Sequence, residues 1–452
     1  MSSQSYVKKN LSLAWPLALN ALLMQSMLMI DTLLISPLGE ISLAAMGIAS
    51  TIVFFVLGIQ MALANGTQLV LSRAFGSGSE NSLRKGLWSG MSINFIVALL
   101  FFVLIKLFDR QLIGLLTDDA SLTTEVLCYL EVSLYIVLFN AITQVMIALF
   151  NAVGRTKIPF KGYLLELPIN VAASYLLVFG SGDWSGLGVQ GAAAGSLIAI
   201  TLRMLFLGIC VRRYHAPLLS WAKLDASLRN NMRNHFREIF PVAVNITMLQ
   251  TGATIYMLIL SQLPLSAYVA ITLVMPWVRA GTQFITAWAH SSAITVSQAI
   301  GSGQMGDLRK NVDVSIDIAV VISLFSALLF VGLSLVLPHL YPNLDDATYY
   351  ALMAIAPLYI FLPIVRGYNT VHGHVLRALG KTTSVFKINF TGQWVISLPL
   401  CALIVIGLDG SIFWAFAVFA IEEMVKMLPF RYLARKSLDE FDMSKAEKLM
   451  YD

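Results

Sequence analysis

Between Leu11 and Gly39 the sequence carries a single charge, Asp31, inside "MLMIDTLLIS". A lone carboxylate in an apolar run can exchange a proton or help to hold a cation. A charge at the centre of a membrane helix costs roughly 2.5–3.5 kcal/mol on insertion scales, so an acid kept there points to a role. A low-dielectric surround favours the neutral form of a carboxyl until water or a partner reaches it, which is how a proton carrier behaves. Asp31 lies five residues, roughly 7 Å of helical rise, from the end of its apolar segment at Ser36. The structural alternative is an acid that snorkels to the interface.

A second set falls in "GYLLELPINVAAS", where Glu166, Asn170 and Ser174 share a helical face at i, i+4, i+8. Glu166 reads either as a coupling carboxylate or as the partner of Lys161 or Arg203. Asn65, Gln68, Tyr135, Asn140 and Gln144 suit a polar cavity wall, or interhelical hydrogen bonds. Met24 and Met27, with Met29, Met46, Met61 and Met146, suit a cavity that accepts many shapes, or ordinary packing. Glu422 and Glu423, beside Lys426, read as interfacial, and Arg203, Arg279, His290 and Arg366 lie within apolar segments. "GSGQMG" (301–306) fits GxGxxG, but no strand precedes it and its internal repeat lacks the third glycine. P-loop, HExxH and GxSxG motifs are absent, and His372 and His374 have no metal spacing, so an ATP-driven, hydrolytic or metal-dependent enzyme finds no support. Neither a cofactor nor a nucleic-acid partner is expected. The three cysteines, Cys128, Cys210 and Cys401, fall in or beside apolar segments and read as packing residues.

The elements that must position these residues are membrane helices. Of 452 residues 58% are hydrophobic and only 12% charged, too few to cover a soluble protein of this size. Mean hydropathy is +0.77. Apolar segments fall near residues 11–36, 41–71, 87–107, 122–151, 158–180, 187–211, 239–262, 266–298, 312–337, 347–376, 384–407 and 411–430. They predict an all-α polytopic protein of twelve transmembrane helices. The opening "MSSQSYVKKN" leads into a run too long for a signal-peptide core, which reads as the first span. All of the 30 Lys and Arg except Lys106, Arg110, Arg203, Arg279 and Arg366 fall at the termini, in the even-numbered connections or at their edges. The opposite connections carry Asp118, Asp119, Asp183, Asp345, Asp346 and Asp409. Both termini are therefore expected in the cytoplasm, with the chain in a bacterial inner membrane.

The two halves are related. With the sequence laid over itself so that Pro16 meets Pro241, Asn20 meets Asn245 and "SRAFGSG" (72–78) meets "SQAIGSG" (297–303). Lengthening that offset by one position brings "NAVGRTKIP" (151–159) onto "RALGKTTSV" (377–385). Six helices per half make a parallel repeat, two lobes about a pseudo-two-fold axis along the membrane normal, the layout of an alternating-access transporter. The expected organisation is an N-terminal lobe (1–211), a cytoplasmic linker (212–238) with an amphipathic helix around 218–232, a C-terminal lobe (239–433) and a cytoplasmic tail (434–452). Asp31 falls opposite Tyr256, so the shared scaffold does not require the acid.

The stretches "AWPLALNALLMQSMLMIDTLLISPLGEISLAAMGIA", "SRAFGSG", "NAVGRTKIP", "LPINVAASYLLVFG" and "VQGAAAGSLIA" together resemble the MATE (multidrug and toxic compound extrusion) family over almost the whole chain. The resemblance implies paired six-helix lobes and export of amphipathic cations against an inward H⁺ or Na⁺ gradient. NorM-like members place acids in helices seven and ten; here both helices lack one, and helix ten carries Arg366. The chain is more similar to the DinF-like branch, whose cation site lies in the N-terminal lobe. From that pattern Asp31, Asn170 and Ser196 carry over, while the helix-five acid four residues after the Asn is replaced by Ser174. A single carboxylate suits a proton better than Na⁺.

The expectation is thus a monomeric exporter of amphipathic drugs or dyes in which protonation of Asp31 makes helix one bend at Pro16 and repack. A lipid-linked precursor flippase of the same superfamily, a Na⁺-coupled exporter and a non-transporting membrane protein are the alternatives.

Overall fold

The structure, a computed structural model, describes residues 3–114, 119–181, 184–219, 228–304, 306–340 and 345–449. The first half is α1 (Ser3–Ile35), α2 (Glu40–Gly76), α3 (Glu80–Gly114), α4 (Ala120–Ala152), α5 (Lys157–Phe179) and α6 (Val189–His215). The second is α7 (Leu228–Leu260), α8 (Leu265–Gly281), α9 (Gln283–Gly301), α10 (Leu308–Leu340), α11 (Asp346–Ala378), α12 (Thr382–Phe390), α13 (Leu398–Ala402) and α14 (Ile412–Asp439), followed by the short α15 (Met443–Leu449). Among the described residues nine helical stretches are long and apolar enough to cross a membrane, so the chain is a multi-pass membrane protein.

The repeat is visible in the element ends. The offset that pairs Pro16 with Pro241 lays α1 onto α7 end to end, both 33 residues long. Two elements depart from the expected single helices. The segment expected over 266–298 divides at Thr282 into α8 and α9. Pro276 removes a backbone donor there, and a Cβ on Gly281 would lie 2.4 Å from the Phe330 ring, so the chain yields where it is pressed against α10. The segment over 384–407 passes through π-helical turns at Thr391–Ser397 and Leu403–Gly407 on either side of α13, whose Pro399 lacks an N–H. The amphipathic helix around 218–232 lies largely outside the described residues; Ala216–Leu219 forms a 3-10 turn, and α7 starts at Leu228.

By internal contacts the chain forms two compact units, which follow the halves except in α1 and α7. One unit is Leu19–Phe240; the other runs up to Ala18 and resumes over Pro241–Leu449. The changes fall beside Pro16 and Pro241, the matching prolines of the repeat, although both helices continue through them. Within the first unit the start of α7 is tied to α2: His235 pairs with Thr67 at 3.0 Å, and Glu238 pairs with buried Arg73. Within the second, the start of α1 is tied to α9 and α10: Tyr6 bonds Ser315 at 2.8 Å, Lys9 bonds Gln298 at 2.9 Å, and Thr295 donates to Asn10 at 3.0 Å. Each unit has its own apolar core, around Val126, Leu134 and Val137 in the first and around Ile271, Val274 and Phe416 in the second.

Candidate ion-coupling site

Helices α5 and α6 pack with their backbones almost touching. The cause lies in "GAAAG" (191–195): a Cβ on Gly195 would sit 2.5 Å from the Ser174 backbone nitrogen, and one on Gly191 would sit 2.3 Å from the Leu177 carbonyl oxygen. Small residues four apart admit such an approach in a membrane protein. The spacing was present in the sequence, but sequence reasoning singled out Ser196 beside it and passed over the glycines. Ser174 is fully buried in this seam, and its Oγ bonds the Ala192 carbonyl at 3.4 Å. One turn earlier, Asn170 is equally buried and reaches across to α6.

There the three residues carried by the sequence pattern meet. Asn170 Nδ2 donates to Ser196 Oγ at 2.8 Å, and Ser196 Oγ donates to Asp31 Oδ2 at 3.4 Å. Asp31 is half-buried, four residues before α1 ends at Ile35. Its Oδ1 is buried with no hydrogen-bond partner among the described residues, and no Lys, Arg or His lies within 4.0 Å of the carboxylate among them. The chain of donors runs towards the acid and stabilises it when charged, while its low-dielectric surround favours the neutral form. A carboxyl held between these opposed effects is suited to changing its protonation state.

Glu166 takes the structural branch of its two readings. Arg203 Nη1 meets Glu166 Oε2 at 2.5 Å, both side chains are 4% exposed, and the guanidinium also lies 4.3 Å over the Tyr163 ring. The carboxylate therefore sits beside a buried cation, one helical turn from Asn170 on the same face of α5.

The cavity candidates divide. Asn140, buried, donates to Gln60 Oε1 at 2.7 Å and accepts from Gln144 at 3.2 Å; Asn94 donates to the Gln60 carbonyl at 3.2 Å. This network joins α2, α3 and α4. Gln68, also buried, accepts from Asn151 at 3.2 Å. Gln68 and Asn140 thus serve helix packing, and Gln60, Asn94 and Asn151 are partners that single-residue reasoning missed. Asn65 is half-buried, Tyr135 and Met24 are exposed, with Tyr135 against the Phe102 ring, and Met27 packs on the core around Leu87 and Leu149. Pro16 lies within an unbroken α1.

In the second unit Glu422 is buried rather than interfacial. Lys426 Nζ meets Glu422 at 2.8 Å and Glu423 at 3.2 Å, Tyr256 Oη donates to Glu422 at 2.6 Å, and Asn369 donates to Glu423 at 2.8 Å. Arg279 and Arg366 are exposed, and His290 lies against the His374 ring.

Comparison with known proteins reaches the same elements. The family model MatE matches residues 16–176 and again 241–403. An uncharacterized transporter, YisQ, of Bacillus subtilis is 22% identical over 422 residues, covering 92% of this chain and 91% of that protein. A probable multidrug resistance protein, NorM, of Rhizobium meliloti is 22% identical over 421 residues, covering 89% of this chain and 88% of that protein. The crystal structure of the Vibrio cholerae MATE transporter VcmN in its bent form matches with a TM-score of 0.85 at 20% identity, over 97% of this chain and 99% of that one. That likeness extends the twelve-helix, two-lobe fold to this chain.

Proposed function

The chain belongs to the MATE family of membrane transporters, and from that premise we propose that it exports amphipathic, often cationic compounds in exchange for protons, with Asp31 as the proton carrier. The observation that carries the reading is the Asn170–Ser196–Asp31 chain, which ends on a carboxylate with no cation beside it among the described residues. A proton entering from the outer side neutralises Asp31. Ser196 then loses its anionic acceptor, the contact between α1 and α6 weakens, and α1 is free to repack, with Pro16 as the place where its hydrogen-bond ladder is already open. Deprotonation towards the cytoplasm restores the contact. Of the branches of the family, the acid on α1 and the lack of acids on α7 from Pro241 onward fit the DinF-like one. Asn65, Tyr135, Met24 and Met27 are the first choices for contact with the exported compound. The name of a relative such as NorM, a probable multidrug resistance protein, supports drugs as cargo.

Na⁺ is the weaker coupling ion, because it takes several oxygen ligands and here one carboxylate stands with a serine and an amide. A monomer in a bacterial inner membrane completes the proposal, and the distribution of Lys and Arg supports cytoplasmic termini. The test is dye transport in inside-out vesicles under an imposed pH gradient and, separately, a Na⁺ gradient. Transport driven by the pH gradient and lost in Asp31→Asn is expected. Transport that survives Asp31→Asn, or that follows Na⁺ alone, overturns the coupling; no flux of any amphipathic cation overturns the export reading.

A further inference from the structure

A cavity of about 400 Å³ opens in the second unit between α10, α11 and α14, away from the acids just described. Each helix gives it a pair of side chains one turn apart: Asp313 and Asp317 from α10, Tyr368 and His372 from α11, Arg431 and Arg435 from α14. The two aspartates and two arginines are exposed, and among the described residues no ion pair within 4.0 Å joins them. Opposite charges that line one cavity without neutralising each other are costly at the edge of a membrane unless a ligand or water answers both.

The repeat shows that the scaffold does not need them. The matching positions of the first half are Trp88 and Ser92 on α3, Ile142 and Met146 on α4, and Leu205 and Ile209 on α6. None is charged, and Leu205 and Ile209 are 52% and 67% exposed, an apolar face of the kind that lipid covers. On the same face of the second half stand two arginines and, across from them, two aspartates. Further along α10 the face turns apolar and exposed again, at Val321 and Leu328, as it does on α14 at Leu428.

We propose that this cavity binds the headgroup of a membrane lipid that carries both a phosphate diester and a primary ammonium, as phosphatidylethanolamine does. Arg431 and Arg435 take the phosphate, for which guanidinium donors are suited. Asp313 and Asp317 take the ammonium, and the acyl chains lie along the apolar faces of α10 and α14. The arginines stand near the end of α14, and Asp313 near the start of α10, which puts the site at the leaflet where the Lys and Arg of the chain gather. The proposal does not depend on Asp31 or on the exported compound.

The test is native mass spectrometry of the full-length protein released from phosphatidylcholine nanodiscs. The nanodiscs are doped with phosphatidylethanolamine or phosphatidylglycerol of the same acyl chains, and soluble glycerophosphoethanolamine is offered as competitor. Phosphatidylethanolamine should be retained about tenfold over phosphatidylcholine, whose trimethylated amine cannot donate hydrogen bonds. The double variant Arg431→Gln/Arg435→Gln should lose both doped lipids. Asp313→Asn/Asp317→Asn should lose the preference for phosphatidylethanolamine and keep phosphatidylglycerol. The single variants Arg435→Gln and Asp313→Asn, at exposed positions, give the same signs if a double variant misfolds. Equal retention of all three lipids, or variants that change nothing, overturns the proposal. Displacement of the bound lipid by glycerophosphoethanolamine overturns the assignment to a lipid in favour of a soluble phosphoamine.

Discussion

Asp31 and Tyr256 occupy the same place in the two halves of the chain, and so do Ser196 and Glu422. In the first half the acid is on α1 and the hydroxyl on α6; in the second the hydroxyl is on α7 and the acid on α14. Each half joins the two across the same pair of helices, at 3.4 Å in the first and 2.6 Å in the second. What differs is the counter-charge. Glu422 is held by Lys426 at 2.8 Å, an ammonium buried with it, whereas Asp31 meets only neutral donors among the described residues. A resident cation stabilises the charged form of its acid, even where, as with Lys426, two carboxylates share it, and so works against uptake of a proton. The repeat therefore supports a division of labour, with proton exchange in one lobe and a fixed polar lock in the other.

The largest test of that division is on transport. Asp31→Asn should reduce gradient-driven export to the background of empty vesicles. Tyr256→Phe, which removes the donor at the matching site, should leave coupling in place. If both variants lose coupling alike, the division between the lobes is wrong. Next come the buried ion pairs, compared by unfolding midpoint in detergent. Removing one partner of such a pair leaves an unpaired buried charge, at a cost of about 3–5 kcal/mol. Lys426→Met, which strands Glu422 and Glu423 together, should lower the midpoint more than Arg203→Met, which strands Glu166 alone. The double variant Glu166→Gln/Arg203→Met should recover most of the stability and retain pH-driven export. Loss of coupling in that stable double variant would return Glu166 to the proton path.

Helix packing separates the lobes in a smaller way. Gly191 and Gly195 of α6 are matched by Ala417 and Ile421 of α14, and the partner helix of the second half takes π turns at Thr391–Ser397. In the second half the glycine of the corresponding seam, Gly392, meets the Lys426 side chain instead of backbone, so the backbone-to-backbone approach belongs to α5 and α6, and Ser196 depends on it for its reach to Asp31. Gly195→Ala forces a methyl against the Ser174 backbone and should cost about 1–3 kcal/mol, with export falling in step. Ile421→Ala, the reverse change at the matching position, should leave pH-driven export intact, as measured in the same vesicles. Equal loss of export from the two changes would detach the site from the seam.

The helices, their repeat and the grouping of Asp31, Asn170 and Ser196 were legible because apolar length, charge placement and a constant offset between the halves survive in a one-dimensional record. The partners were not. Glu166 offered Lys161 and Arg203 equally, since a helix face gives direction but not the side chain that arrives from a neighbour. Glu422 looked interfacial because its place near the end of an apolar run hides that Lys426, one turn on, folds back into the same buried space. The break at Thr282 falls where Gly281 is pressed against Phe330, a residue far away in sequence. Gly191 and Gly195 were legible and were passed over.

The smallest expected difference lies at a pair of helix starts. Asp119 and Asp345 hold matching positions before α4 and α11. The Asp119 carboxylate accepts from the backbone N–H groups of Ser121 and Leu122, at 2.8 and 3.2 Å, and so caps α4; Asp345 makes no side-chain cap bond. The Ser121 hydroxyl, first, and these two N–H groups hold the Asp119 carboxyl below its ordinary value of 3.8. Because the folded value is the lower one, the cap's contribution is fully present above the unfolded value and is lost as pH falls through the folded one. Asp119→Ala should speed hydrogen exchange at Ser121 and Leu122 at neutral pH, and the difference from the unaltered protein should vanish in strong acid. Asp345→Ala should leave the first turn of α11 unchanged at any pH. Equal protection lost at both starts would mean that the lobes are capped alike, and that their asymmetry is confined to the polar sites in the membrane.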